Sequence, residues 1–115
     1  MQNKFTLIRV KKGLYRRVTP ECIAAIHADG CYSYIHLSNG EKIIVCALLK
    51  NIQSSLNVPC LYRVNRSTVI NLDFIERIEN YKIKLTTQEV IPIPKKKLRK
   101  TINDLNKYYN PSIDN

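Results

Sequence analysis

Apolar and polar residues alternate along most of this chain with a period of two, the spacing of strands that cover one face of a sheet. The alternation predicts strands over residues 5–10 and 14–18, joined by a turn at Lys11-Lys12-Gly13. Thr19-Pro20-Glu21 interrupts the pattern. Strands are predicted next over 23–28 and 32–37, with a loop at Ala28-Asp29-Gly30-Cys31 between them. Within 32–37 the pleat puts Ser33, Ile35 and Leu37 on one face and Tyr32, Tyr34 and His36 on the other. Asn39-Gly40 between β-rich runs signals a hairpin, completed by a strand over 42–45.

The period then changes. Val45, Leu48, Leu49, Ile52 and Leu56 fit one stripe of a helix, which Asn57-Val58-Pro59 ends. A strand over 61–64 leads into Asn65-Arg66-Ser67, a polar break before the apolar pair Val69-Ile70. A turn at Asn71-Leu72-Asp73 precedes strands over 75–79, 82–86 and 90–93. Leu98, Ile102, Leu105 and Tyr109 recur at helical spacing, so a second helix is expected from Lys95 to about Tyr108, stopped by Asn110-Pro111. The expected fold is mainly β with two helices. Residues 1–109 form one domain on the length prior, and 110–115 a C-terminal tail.

Charge adds what periodicity does not show. The 115 residues carry 19 Lys and Arg against 9 Asp and Glu, a formal charge of +10. Such a field repels itself and calls for an anionic partner, nucleic acid first. The excess is localised: residues 61–100 hold ten basic and four acidic side chains, whereas 30–60 hold two and one. No apolar run reaches the roughly 18 residues of a membrane-spanning helix. The first residues, Met1-Gln2-Asn3-Lys4-Phe5, lack a signal-peptide core, so a cytoplasmic protein is expected.

Enzymatic constellations are missing. Gly13, Gly30 and Gly40 each sit in a turn and make no phosphate loop, and no H-E-x-x-H or G-x-S-x-G motif occurs. No enzyme activity and no cofactor are expected. Cys22, Cys31, Cys46 and Cys60 are scattered without a C-x-x-C pair, and His27 and His36 complete no zinc spacing. Reduced thiols and no metal site are expected.

Two basic features carry sharper chemistry. Lys95, Lys96 and Lys97 fall in the first turn of the second predicted helix, where each exposed cation opposes the helix dipole by about 0.3–1 kcal/mol. Cations beside the free N–H groups of a helix terminus suit a phosphate. Arg66, in the polar break, has the fork geometry to grip a phosphate or pair with guanine, and Asn65 suits adenine or the sugar-phosphate backbone. Ser67 and Asn71 are expected to shape the turn through backbone hydrogen bonds. From its residues alone, Asp29-Gly30-Cys31-Tyr32 reads as a plain hairpin tip.

In order along the chain, these residues resemble the LytTR-type DNA-binding domain. The resemblance runs through Ala28-Asp29-Gly30-Cys31-Tyr32-Ser33-Tyr34-Ile35, the Asn39-Gly40 hairpin and Leu48-Leu49-Lys50-Asn51-Ile52. Its specific part is Tyr62-Arg63-Val64-Asn65-Arg66-Ser67-Thr68-Val69-Ile70-Asn71, where the family shows F-x-R-x-H-R-S-x-x-V-N. Residues 75–78 and Val90-Ile91-Pro92-Ile93 complete a match over roughly 5–105. The resemblance implies an elongated unit of small antiparallel sheets that reads the major groove with loops. It places DNA contacts at the Gly30-Cys31-Tyr32 loop, in the Arg66 region after the strand and at Pro94-Lys95-Lys96, and it puts the weight on Arg66 and not on Asn65. Asn65 stands where the family has His, Cys31 is atypical of the first loop, and Pro94-Lys95 replaces a Ser-Arg pair. Lys lacks the bidentate fork of Arg, so this last segment is expected to hold phosphates rather than read bases.

The resulting expectation is a bacterial, sequence-specific transcriptional regulator that binds double-stranded DNA, with a second copy on an adjacent direct repeat. Family members are often fused to a receiver domain or a membrane segment. This chain shows neither, so control is expected from elsewhere, such as a signalling partner. Two rival readings stand beside it. One is a β-rich RNA-binding module, with Tyr32, Tyr34 and Tyr62 stacked on unpaired bases. The other is an antagonist that binds a related regulator as a protein.

Overall fold

A computed structural model describes residues 4–109, and the expected tail at 110–115 lies outside the described residues. The strands are β1 (Thr6–Lys11), β2 (Leu14–Val18), β3 (Ile23–Asp29), β4 (Tyr32–Leu37), β5 (Lys42–Val45), β6 (Leu61–Asn65), β7 (Thr68–Asn71), β8 (Ile75–Glu79), β9 (Lys82–Leu85) and β10 (Val90–Pro92). The helices are α1 (Leu49–Leu56) and α2 (Leu98–Tyr109), with short 3₁₀ turns at Pro20–Cys22, Leu72–Phe74 and Lys95–Lys97. The fold is mainly β with two helices, an elongated unit of 43 × 35 × 24 Å. Among the described residues no helix is long and apolar enough to cross a membrane.

The strands form a two-stranded sheet β1-β2, a five-stranded sheet β5-β4-β3-β7-β6 and a three-stranded sheet β10-β9-β8, all antiparallel. The five-stranded sheet is the middle layer. Ile26 and Val69 on one side pack with Ile8, Val18 and the α1 residues Leu49, Ile52 and Leu56. Ala25 and Ile70 on the other side pack with Ile83, Leu85 and Ile91 and with Leu105 of α2. A strand covered on both faces has no polar side to alternate. That is why Ile23-Ala24-Ala25-Ile26 and Val69-Ile70 read as unbroken apolar runs, and why all of β7 is buried.

Three helical expectations need correction. Val45 is fully buried but belongs to β5, where it pairs with Ser33, and Leu48 is 55% exposed at the N-cap. The apolar stripe of α1 is therefore Leu49, Ile52 and Leu56, and the two residues before it only mimic the spacing. Lys95–Lys97 form a 3₁₀ turn and not the first α-turn, because the Lys97 N–H closes back on the Pro94 oxygen at 2.8 Å. Such tightening is common where a helix starts. In α2 the inward ridge is Leu98, Thr101, Leu105 and Tyr108, whereas Tyr109 is 47% exposed. The Tyr109 hydroxyl donates to the Leu72 oxygen from the edge of that ridge.

Candidate nucleic-acid interface

The polar break at 65–67 is a hairpin tip. β6 and β7 pair from Leu61↔Asn71 to Asn65↔Thr68, which leaves Arg66-Ser67 as the two-residue turn. Asn65 and Arg63 shape it. Asn65 Oδ1 accepts from the Ser67 N–H at 2.9 Å and the Ser67 hydroxyl at 3.2 Å. Arg63 Nε donates to the Asn65 oxygen at 3.0 Å, and its Nη2 to the Arg66 oxygen at 2.6 Å. Local side-chain bonds of this kind pre-set a turn. They leave the exposed Arg66 guanidinium, among the described residues, without a hydrogen-bond or ion-pair partner. Asn71, expected to shape this turn with Ser67, does not reach it: it lies at the far end of β7, fully buried. It donates to the Ile23 oxygen at 2.8 Å and accepts from the Asp73 N–H at 2.9 Å, tying the Leu72–Phe74 turn to the start of β3.

Neighbouring segments share this rim. The Ala28 N–H donates to the Ser67 oxygen at 2.8 Å, which holds the β3–β4 tip against the β6–β7 tip. That tip is Gly30-Cys31 between the paired Asp29 and Tyr32. Gly30 has φ +63, a left-handed value that a residue with a Cβ rarely adopts. Gly30, Cys31 and Tyr32 are all exposed. On the other side, Asn65 Nδ2 donates to the Pro92 oxygen at 2.9 Å, which ties the hairpin to the strand leading into Pro94-Lys95-Lys96-Lys97. The Ile93 N–H donates to the Tyr81 oxygen, and Lys95 Nζ lies 5.5 Å from the centre of the Tyr81 ring.

The two basic clusters thus meet. Arg63, Arg66, Lys97 and Lys100 line one cleft of about 350 Å³ between the β6–β7 hairpin and the start of α2, floored by Tyr62 and Thr101. Asp104 is the carboxylate beside it. It accepts from Lys100 Nζ at 2.8 Å and from the Tyr62 hydroxyl at 2.6 Å. The Lys100 bond, then the Tyr62 bond, hold the Asp104 carboxyl below the usual carboxylate range. Burial, then the Asp104 bond, push the Tyr62 phenol up. One ionised carboxylate against four cations leaves the cleft positive, the sign a phosphate needs.

Lys95, Lys96 and Lys97 are all exposed. Tyr32 is 50% exposed, but Tyr34 and Tyr62 are half-buried and partnered. Lys42 Nζ lies over the Tyr34 ring at 5.6 Å, and the Tyr62 hydroxyl is committed to Asp104. An open row of stacking faces, as a single-strand binder needs, is not what these tyrosines make. Sequence patterning does not single out Tyr81, and it gives Arg63 and Lys100, which lie in the family-like stretch and in the basic run at 95–100, no role of their own. Arg63 was findable, since it lies three positions before Arg66 and spans the turn once the hairpin is drawn. Tyr81 carries no local signal.

Comparison with known proteins fits this geometry. Residues 14–106 match the family model of the LytTr DNA-binding domain. The fold is similar to the solved LytTr DNA-binding domain of a Bacillus cereus protein described as a methyl-accepting/DNA response regulator. The TM-score is 0.70 at 14% identity, covering 87% of this chain and 96% of that one. A comparison with curated protein sequences gives no match.

Proposed function

This chain belongs to the LytTr DNA-binding domain family, and on that premise we propose that it is the sequence-specific, double-stranded-DNA-reading module of a transcriptional regulator. The observation that carries the reading is the shared rim, where the β3–β4 tip, the Arg66 turn and the lysine turn are joined by main-chain and Asn65 hydrogen bonds. Arg66 is the probe. It projects from a turn whose main chain Asn65 and Arg63 already hold in shape, so little backbone ordering is needed for its guanidinium to enter the major groove and take a guanine edge or a phosphate. Lys96 and Lys97 hold the sugar-phosphate backbone beside it, and Gly30-Cys31-Tyr32 lies against the neighbouring stretch. Phosphate contacts fix the register while Arg66 supplies preference.

Two copies on adjacent direct repeats extend the site along one face of the duplex, and a signalling partner sets when it is occupied. Selection of bound sites from a random duplex pool tests this. Enrichment of a repeated motif supports it, and an unenriched pool refutes sequence-specific reading.

A further inference from the structure

On the side of the central sheet that faces the three-stranded sheet, three side chains from distant parts of the chain converge. His27 Nε2 on β3 lies 2.8 Å from Glu89 Oε2, and His36 Nδ1 on β4 lies 3.5 Å from the same oxygen. The two imidazole rings meet edge to face at 4.8 Å between centroids. One ligand atom from each residue falls within 4.8 Å of the others. We propose that His27, His36 and Glu89 bind one divalent transition-metal ion of the zinc class, which staples the β9–β10 turn to the central sheet.

Zinc bonds of about 2.0–2.1 Å to nitrogen and oxygen put tetrahedral ligand atoms roughly 3.3 Å apart. The observed spacings bracket that value, so side-chain rotations of the order of 1 Å close the site. Two imidazoles and a carboxylate favour zinc, cobalt or nickel over magnesium or calcium, which take oxygen ligands. The side chains are 27%, 30% and 26% exposed, so an ion can enter. His36 and Glu89 also line a cleft of about 430 Å³ that leaves room for a water as the fourth ligand.

A hydrogen bond between His27 and Glu89 would need only one imidazole, yet a second is turned toward the same oxygen. The turn that delivers Glu89 is specialised too. Gln88 has φ +81, and the Glu89 oxygen accepts from the Leu85 N–H at 2.9 Å. Beside it, the Thr87 hydroxyl is buried with no hydrogen-bond partner among the described residues. Strained backbone and an unpaired polar atom cluster where a fold serves a ligand. Lys42 lines the same cleft, but its ammonium is drawn over the Tyr34 ring.

The test is a titration of the metal-free protein with cobalt(II) and zinc, read by visible absorption, calorimetry and thermal unfolding. One equivalent of cobalt should give a visible band without thiolate charge transfer, and zinc should raise Tm. Both effects should persist in a Cys22→Ser, Cys31→Ser, Cys46→Ser protein, which removes the exposed thiols. They should be lost in His36→Ala and in the shape-preserving Glu89→Gln, with the metal-free circular dichroism of Glu89→Gln unchanged. Absence of stoichiometric binding, binding that survives Glu89→Gln, or binding that vanishes with the thiols overturns the proposal. None of these readouts involves DNA.

Discussion

Asn65 Nδ2 donates to the main-chain oxygen of Pro92 at 2.9 Å, so the tip of the β6–β7 hairpin is tied to the strand that carries the lysine turn. The same amide accepts from Ser67, so one side chain sets both the shape of the Arg66 turn and its distance from Lys95–Lys97. Asn65→Ala removes the tether. It should lower stability by about 1–3 kcal/mol, since three near-surface hydrogen bonds of modest net worth are lost together. It should weaken duplex binding for every sequence, because it misplaces the probe relative to the clamp. Urea denaturation beside binding titrations checks this.

The Arg66 side chain has no partner among the described residues, so its replacement leaves the fold intact. Arg66→Ala should cost about 1–3 kcal/mol of binding to the preferred site and relax preference at one base position. Arg66→Lys keeps the charge but loses the fork, so it should restore affinity for unselected DNA more than preference. Binding to a panel of single-base variants of the selected site separates the two effects.

Asn71 belongs to the scaffold. Asn71→Ala strands the buried Ile23 oxygen, at about 1–3 kcal/mol, and frees the part-buried Asp73 N–H at a smaller cost because water can reach it. The urea midpoint should fall clearly with the slope unchanged, while salt dependence of binding by the folded protein stays at the parent value.

Tyr108 sets a limit at alkaline pH. Burial first, and then its hydrogen bond to the Asp73 carboxylate, push its phenol up to about 12. An unfolded Tyr titrates near about 10. The folded value is the higher one, so this stabilisation is complete below pH of about 10 and is lost as pH rises toward about 12. Tyr62 and Tyr109 are shifted the same way and add to the fall. Tyr108→Phe should therefore lose less stability than the parent across that window, as thermal unfolding at stepped pH would show.

How much of this was legible in the sequence follows from how local each signal is. β2, β4 and β5 are half-covered strands with hairpin residues at their ends, and alternation places them at their observed bounds. β7 is buried on both faces, so its four residues show no alternation, and Arg66-Ser67 looks like a break and not a hairpin turn. In α2, Tyr108 and Tyr109 are adjacent and only packing decides which faces in. The two basic clusters stood out by charge, but nothing local shows that Asn65 would reach Pro92. Nor does sequence show that Glu89 would cross to His27, which is 62 positions away.

The central claim is that this rim grips duplex DNA through its cations, and fluorescence anisotropy over a salt series tests it most directly. Each phosphate contact contributes a slope of about −0.9 in log affinity against log salt. The parent protein should bind a labelled duplex with a steep linear dependence, and Lys96→Ala should reduce the magnitude of that slope by about one unit. If duplex DNA shows no salt-dependent binding while single-stranded RNA does, the account is contradicted.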